Sequence, residues 1–251
     1  MFLGKYIFGQ DSATTSSTRT EAWPEVNIFY TINQKLRIYG TYSTTKLQNS
    51  EYTDGGIGIY ADYFAFPGLR KKFKIPMIDS TRGYYLWLRG GYAYSSTPKD
   101  VEPAVYESNF VTEFNLKFHL PYDILLTNKQ RLDWRFVNGD FKPRYRTKLT
   151  FEKDLHTAYL TFTPYFYGEL FVPLYAGGAN RFRLCLGSEL RVTKNMNFEV
   201  YGLHQFENGS KIPSVNAVGI VFKFYFVHQE VKQSIAKRKQ QGLDLKNKIL
   251  K

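Results

Sequence analysis

The sequence predicts an all-β protein: a single transmembrane, antiparallel, up-and-down barrel of about twelve strands over residues 1–227, followed at 228–251 by a basic periplasmic tail, helical in pattern. Three observations point there. Apolar and polar residues alternate strictly in run after run, which is a strand signal because successive side chains leave opposite faces. The chain holds 20 Tyr and 21 Phe among 251 residues, yet its mean hydropathy is −0.38, so it is rich in rings and polar on average. It has no stretch of about 20 apolar residues, which a membrane-crossing helix would need. A barrel with an apolar outer band, aromatic girdles and a polar lumen accounts for all three.

The stretch NRFRLCLGSELRV (180–192) shows the pattern at its clearest. Phe182, Leu184, Leu186, Leu190 and Val192 share one register, and Arg181, Arg183, Cys185, Glu189 and Arg191 the other. From the N-terminus, the same alternation appears at 26–32, 36–43, 57–65 and 84–94. It continues at 112–120, at 131–136 (RLDWRF), at 144–152 and at 158–171. After 180–192 come 197–202 (NFEVYG) and 217–226. Short breaks at 33–35, 154–157 and 193–195 alternate with longer Gly/Pro/Ser-bearing ones at 45–54, 95–106, 137–143, 172–180 and 207–214. That rhythm suits tight turns at one rim and loops at the other. The 66–83 connection, with Arg70, Lys71, Lys72 and Lys74, is long where a short turn is expected. Because single-chain bacterial barrels usually have an even strand count, a further strand is expected within residues 3–20 to close the ring. Residues 228–251 break the pattern, placing Val231, Ile235, Leu243, Leu245 and Ile249 among many Lys and Arg.

Three features place lipid outside. Large rings sit near strand ends of the apolar register (Tyr84, Tyr92, Tyr94, Trp134, Tyr145, Phe224, Phe226), as headgroup-level girdles require. The opposite register mixes Tyr, Gly, Thr and both charge signs. Apart from the C-terminal segment, no second class of element is available to cover an apolar sheet face. The lumen register then gathers Arg37, Arg89, Lys117, Arg131, Arg135, Arg144, Arg146, Lys148, Arg181, Arg183, Arg191 and Lys223. Against these twelve cations stand seven carboxylates: Asp62, Glu113, Asp133, Glu152, Glu169, Glu189 and Glu199. Arginine is densest at Arg131, Arg135, Arg144, Arg146, Arg181 and Arg183, on neighbouring strands, where a constriction is expected.

Several stretches carry a resemblance: AWPEVNIFYTINQKLRIYG (22–40), YTDGGIGIYADYF (52–64), RLDWRFVNGDFKPRYRTKL (131–149), TPYFYGELF (163–171), NRFRLCLGSEL (180–190) and NAVGIVFKFYF (216–226). In this order they resemble a family of bacterial outer-membrane barrels, the domain of unknown function 2490 type. The resemblance implies a barrel in a bacterial outer membrane and no chemistry. Relatives of that type end near the last strand's aromatic, here Phe226, whereas this chain runs on for 25 residues.

Surplus arginine forks in a lumen suit carboxylate or phosphate. The expected function is therefore a small passive porin for anionic solutes, by fold analogy with small twelve-stranded porins. The alternative is a scaffold barrel plugged by its own side chains, with 228–251 binding a periplasmic partner. Expected partners are the outer-membrane bilayer, small anionic solutes and that periplasmic protein, but no nucleic acid: the rings fall mostly in the apolar register, away from the basic groups. No cofactor, metal site or enzyme is expected. Four scattered histidines and one cysteine lack ligand spacing. His204 and Ser210 flank an Asn-Gly turn without an acid placed to orient the imidazole. The net charge of +12 fits anionic solutes or anionic headgroups. Met1-Phe-Leu-Gly-Lys carries no secretory signal, so an exported form is expected to begin near its mature N-terminus.

Overall fold

The computed structural model describes residues 18–47, 53–69, 80–97, 104–157, 160–208 and 213–229. Eleven long strands succeed one another around a closed ring. They are β1 (Arg19–Thr31), β2 (Leu36–Leu47), β3 (Thr53–Pro67), β4 (Tyr84–Ser96), β5 (Tyr106–Leu120) and β6 (Ile124–Val137). Then come β7 (Arg144–Lys153), β8 (Thr161–Pro173), β9 (Arg181–Arg191), β10 (Met196–Glu207) and β11 (Ser214–Val227). Two-residue segments at Asp140–Phe141 and Leu155–His156 extend the pairing beside β6 and β8. Every run of alternation in the sequence overlaps one of these strands.

The expected count of about twelve is corrected to eleven. β1 and β11 pair directly and in parallel, from Arg19↔Val215 to Thr31↔Val227, while all other neighbours are antiparallel. His228 N extends the seam by donating to Thr31 O at 2.9 Å. An odd number of up-and-down strands leaves the first and last running the same way, and a slanted parallel ladder still satisfies every backbone group. The ring therefore needs no separate strand ahead of β1, and of the 3–20 stretch expected to supply one, residues 3–17 lie outside the described residues. The helical reading of 228–251 falls outside them too, from residue 230 onward.

Turn chemistry is local. Asn33 Oδ1 accepts from the backbone N–H groups of Lys35 (2.8 Å) and Leu36 (2.9 Å), fixing the β1–β2 turn. Asn138 and Gly139 both take positive φ, 51° and 90°, as a type I′ hairpin requires.

The two faces of the wall are inverted relative to a soluble barrel. Outward Ile57 and Leu186 are 63% and 68% exposed, while inward Arg37, Asp62, Asn115 and Asp133 are buried. Trp134, Tyr94 and Phe226 stand on the outer face near strand ends. This is an outer-membrane-type β-barrel, whose oily belt would be untenable in water at this extent. Tyr84 departs from the expected girdle: it is only 3% exposed, stacks on Phe64 with ring centroids 5.2 Å apart, and bonds Gln34 O. The positive φ of Phe66 (56°) bends the end of β3 beside it, which turns Tyr84 in under the short-turn rim.

Glycines in the wall make room for rings. A Cβ on Gly219 would overlap the Tyr201 ring of β10, and one on Gly187 would overlap Tyr165 of β8. Such glycine–aromatic pairs let a strand curve while a neighbouring ring covers the gap. Gly219→Val is therefore expected to lower stability by about 1–3 kcal/mol, the cost of overpacking. The urea midpoint of the folded, heat-modifiable band reads this out, and an unchanged midpoint removes the pairing argument.

Candidate functional site in the lumen

The lumen is divided chemically by the strands that wall it. On one side, Tyr225 of β11, Phe29 of β1, Tyr39 of β2 and Tyr60 of β3 lie side by side in register. Their ring centroids are 4.8, 4.6 and 5.2 Å apart and the planes are nearly parallel. Guanidinium groups cover this stack, Arg37 at 4.4 Å over Phe29 and Arg89 at 4.3 Å over Tyr39. Both arginines fork onto Asp62, which is fully buried: Arg37 through Nε (2.9 Å) and Nη2 (2.7 Å), Arg89 through Nε (2.7 Å) and Nη2 (3.2 Å). This wall is thus filled by its own side chains.

The opposite wall, β6 to β9, holds the six arginines singled out in the sequence, and all six point inward. Phe171 of β8, 2% exposed, is the hub that the sequence reading missed. Four guanidinium groups face its ring: Arg146 at 4.5 Å, Arg183 at 5.0 Å, Arg144 at 5.3 Å and Arg181 at 5.4 Å. Carboxylates thread between them. Asp133 binds Arg131 (2.5 Å), Arg144 (2.7 Å) and Arg146 (3.6 Å). Glu169 binds Arg146 (2.6 Å) and Arg183 (3.5 Å). Glu107 takes both forks of Arg135 (2.8 and 2.6 Å), and Glu207 takes Arg181 (2.9 Å). Arg183 otherwise donates twice to the neutral Gln205, at 3.0 and 2.6 Å.

The sequence assignment overstated the basic surplus. Glu21, Glu25, Asp54, Glu107 and Glu207 also belong to the inward register, as do Arg19 and Lys129, which lowers the surplus from five to two. Glu25 lies two residues from Trp23 and Asn27, so extending the alternation of 26–32 back through WPEV would have found it. Several of the other sequence-predicted charges pair in the lower lumen. Glu113 meets Lys129 (3.0 Å) and Arg131 (3.8 Å), and Lys223 bridges Glu189 and Glu199. Lys117 lies 5.8 Å from the centre of the Trp87 ring. Arg191 is inward at the last position of β9, and its Nε has no hydrogen-bond partner among the described residues.

Two cavities occupy the space that remains, about 410 Å³ and 250 Å³, and Trp87, Lys129, Lys148, Tyr165, Glu189 and Glu199 line both. Lys148 faces both of them. Its Nζ sits 4.4 Å over the Tyr167 ring, with no carboxylate within ion-pair distance among the described residues. Arg82 bounds the smaller cavity and comes from the long 66–83 connection, within the 3-10 turn Ser80–Gly83. It reaches past β5 and β6 to bind Glu152 (3.0 Å), Asp154 (2.6 Å) and Thr163 Oγ1 (3.2 Å). The end of that connection, at Arg82, is thus tied across the short-turn mouth of the barrel. Outside the lumen, His204 Nδ1 pairs with Asn216 Oδ1 at 2.5 Å on the outer face, and Ser210 falls outside the described residues. No group of His, Cys, Asp and Glu with metal-ligand geometry exists among the described residues.

The family described as "Protein of unknown function (DUF2490)" matches residues 76–216, more than half of the chain. None of the curated proteins matches the chain. Among solved structures, the β domain of the Bordetella autotransporter Brka is similar, at 16% identity and a TM-score of 0.43. The match covers 76% of this chain and 81% of that one.

Neutralising one buried hub of the ionic wall should be costly. Asp133→Asn leaves Arg131, Arg144 and Arg146 crowded without their shared carboxylate, at about 3–5 kcal/mol. The exposed Lys142–Asp140 pair (3.1 Å) is the control, since breaking it should cost under about 1 kcal/mol. Equal urea midpoints for Asp133→Asn and Lys142→Gln would rule out the hub role.

Proposed function

We propose that this chain, which belongs to the DUF2490 family, is an outer-membrane barrel that passes small anionic solutes through a narrow lumen. The observation that carries this reading is uneven compensation. The arginines around Phe171 are held by carboxylates, whereas Lys148 has none within ion-pair distance among the described residues and Arg183 shares Glu169 with Arg146. Both line the 410 Å³ cavity, where a solute carboxylate or phosphate would supply the missing charge. Selectivity is therefore assigned to Lys148 and Arg183, with Arg131, Arg135, Arg144, Arg146 and Arg181 shaping the wall around them.

A second reading rests on Arg82. A guanidinium tied across the short-turn mouth supports a closed, structural barrel, with the basic segment 228–251 engaging a periplasmic partner. Planar-bilayer recording separates the two. The porin reading expects a steady current whose reversal potential in a salt gradient favours anions. Folded protein that gives no current would support the scaffold instead.

Lys148→Glu with Arg183→Glu is expected to move the reversal potential toward cation selectivity, and an unmoved potential would exclude these two residues as the selecting pair. Arg82→Ala is expected to raise single-channel conductance by untying the bridge to Glu152 and Asp154. Conductance equal to that of the unaltered protein would show that the narrowest point lies elsewhere.

A further inference from the structure

The outer face carries a polar patch where hydrocarbon would lie. Asn128 and Gln130 are the fifth and seventh residues of the 14-residue strand β6, and their register points outward between Leu126 below and Leu132 above. Their cross-strand neighbours on that face are Leu116 and Phe114 of β5, and Leu149 and Thr147 of β7. Gln130 Nε2 donates to Asn128 Oδ1, and Tyr145 Oη donates to Gln130 Oε1. The amide nitrogen of Asn128 makes no hydrogen bond among the described residues. In lipid, an unmet polar hydrogen costs free energy that no water is present to recover. Between membrane-spanning helices such side chains hydrogen-bond across to a neighbour, and an amide on a lipid-facing wall gains by the same means.

We infer that this patch is the contact surface between two copies of the chain in the membrane. A carboxamide is self-complementary, since each offers N–H and C=O and two can close a pair of N–H···O bonds. A two-fold axis along the membrane normal sets Asn128 against Asn128 and keeps both barrels in the same orientation, the isologous arrangement. The patch carries no charge, so it asks for no oppositely charged partner, and it lies too deep for a headgroup. Leu132, Leu149 and Phe114 around it supply an apolar rim. The inference rests on the membrane reading of the outer face.

Cysteine cross-linking of the full chain in phosphatidylcholine vesicles tests it. Leu149→Cys lies beside the patch, and Ile59→Cys lies on the far wall; both positions are exposed, at 45% and 61%. The single native cysteine, Cys185, is buried and cannot confuse the result. Oxidation should yield a disulfide dimer from Leu149→Cys and none from Ile59→Cys. Adding Asn128→Leu and Gln130→Leu should cut the dimer about tenfold, the loss expected of one or two membrane hydrogen bonds. A Leu149→Cys protein that stays monomeric in the vesicles, that links only to other proteins, or whose dimer survives both leucines overturns the interface. If the leucine variant does not fold, the comparison of Leu149→Cys with Ile59→Cys still decides. Protein that never enters the vesicle fraction overturns the membrane reading instead.

Discussion

The parallel seam between β1 and β11 is the constraint on which the rest of the architecture depends. A sheet in an apolar medium cannot leave an edge, because each unpaired N–H or C=O would stand unsatisfied in it. Eleven strands close only if the ends meet in parallel, so the chain enters the ring at one rim and leaves at the other. Arg19 therefore stands beside the long loops, and the chain leaves the barrel through His228 beside the short turns. Once the ring is closed, the period of two decides everything else: each strand must show one face outward and the other to the lumen.

Closure forces charge into a confined interior, and the interior answers by pairing. Like charges two residues apart would repel along a strand, but the register sets unlike charges across neighbours, as with Glu169 of β8 against Arg183 of β9. Where two arginines fall opposite each other, at Arg131 and Arg146, Asp133 lies within reach of both. Phe171 then offers a ring face to guanidinium groups that cannot all fork onto carboxylates. The aromatic stack under Arg37 and Arg89 uses the same device on the far wall. Lumenal arginine density is in this sense a packing solution before it is a selectivity device.

Legibility in the sequence tracked the strength of alternation. All eleven strands were visible because each has at least one stretch where an oily residue succeeds a polar one. The count was not, because an even number is a habit of such barrels and not a physical requirement; the parallel seam leaves no trace in the sequence of β1 or β11. Residues 124–130 of β6 went unread for a different reason. Thr127, Asn128, Lys129 and Gln130 are polar on both faces, so the period disappears even though the strand continues. That same failure of pattern is what marks the outward patch at Asn128 and Gln130. Tyr84 was misplaced because alternation assumes a straight strand end, and the positive φ at Phe66 bends this one.

The lumen also separates two properties that composition runs together. Counting basic residues directs attention to Arg131, Arg135, Arg144 and Arg146, yet each of these already has a carboxylate within ion-pair distance. A paired guanidinium presents little net field, since its partner's charge lies as close as any solute could come. Lys148 contributes one charge to the tally, but no carboxylate among the described residues lies within ion-pair distance of it, and its ammonium sits over the face of Tyr167. On the proposed reading, the position that discriminates among solutes is the one with least compensation, and composition alone has no means of ranking it. Register does: Lys148 stands opposite Lys129 on β6, whose own ammonium goes to Glu113 on the next strand, and opposite Glu169 on β8, which turns to Arg146 and Arg183. Both neighbours are engaged elsewhere, and the lysine is left facing the cavity.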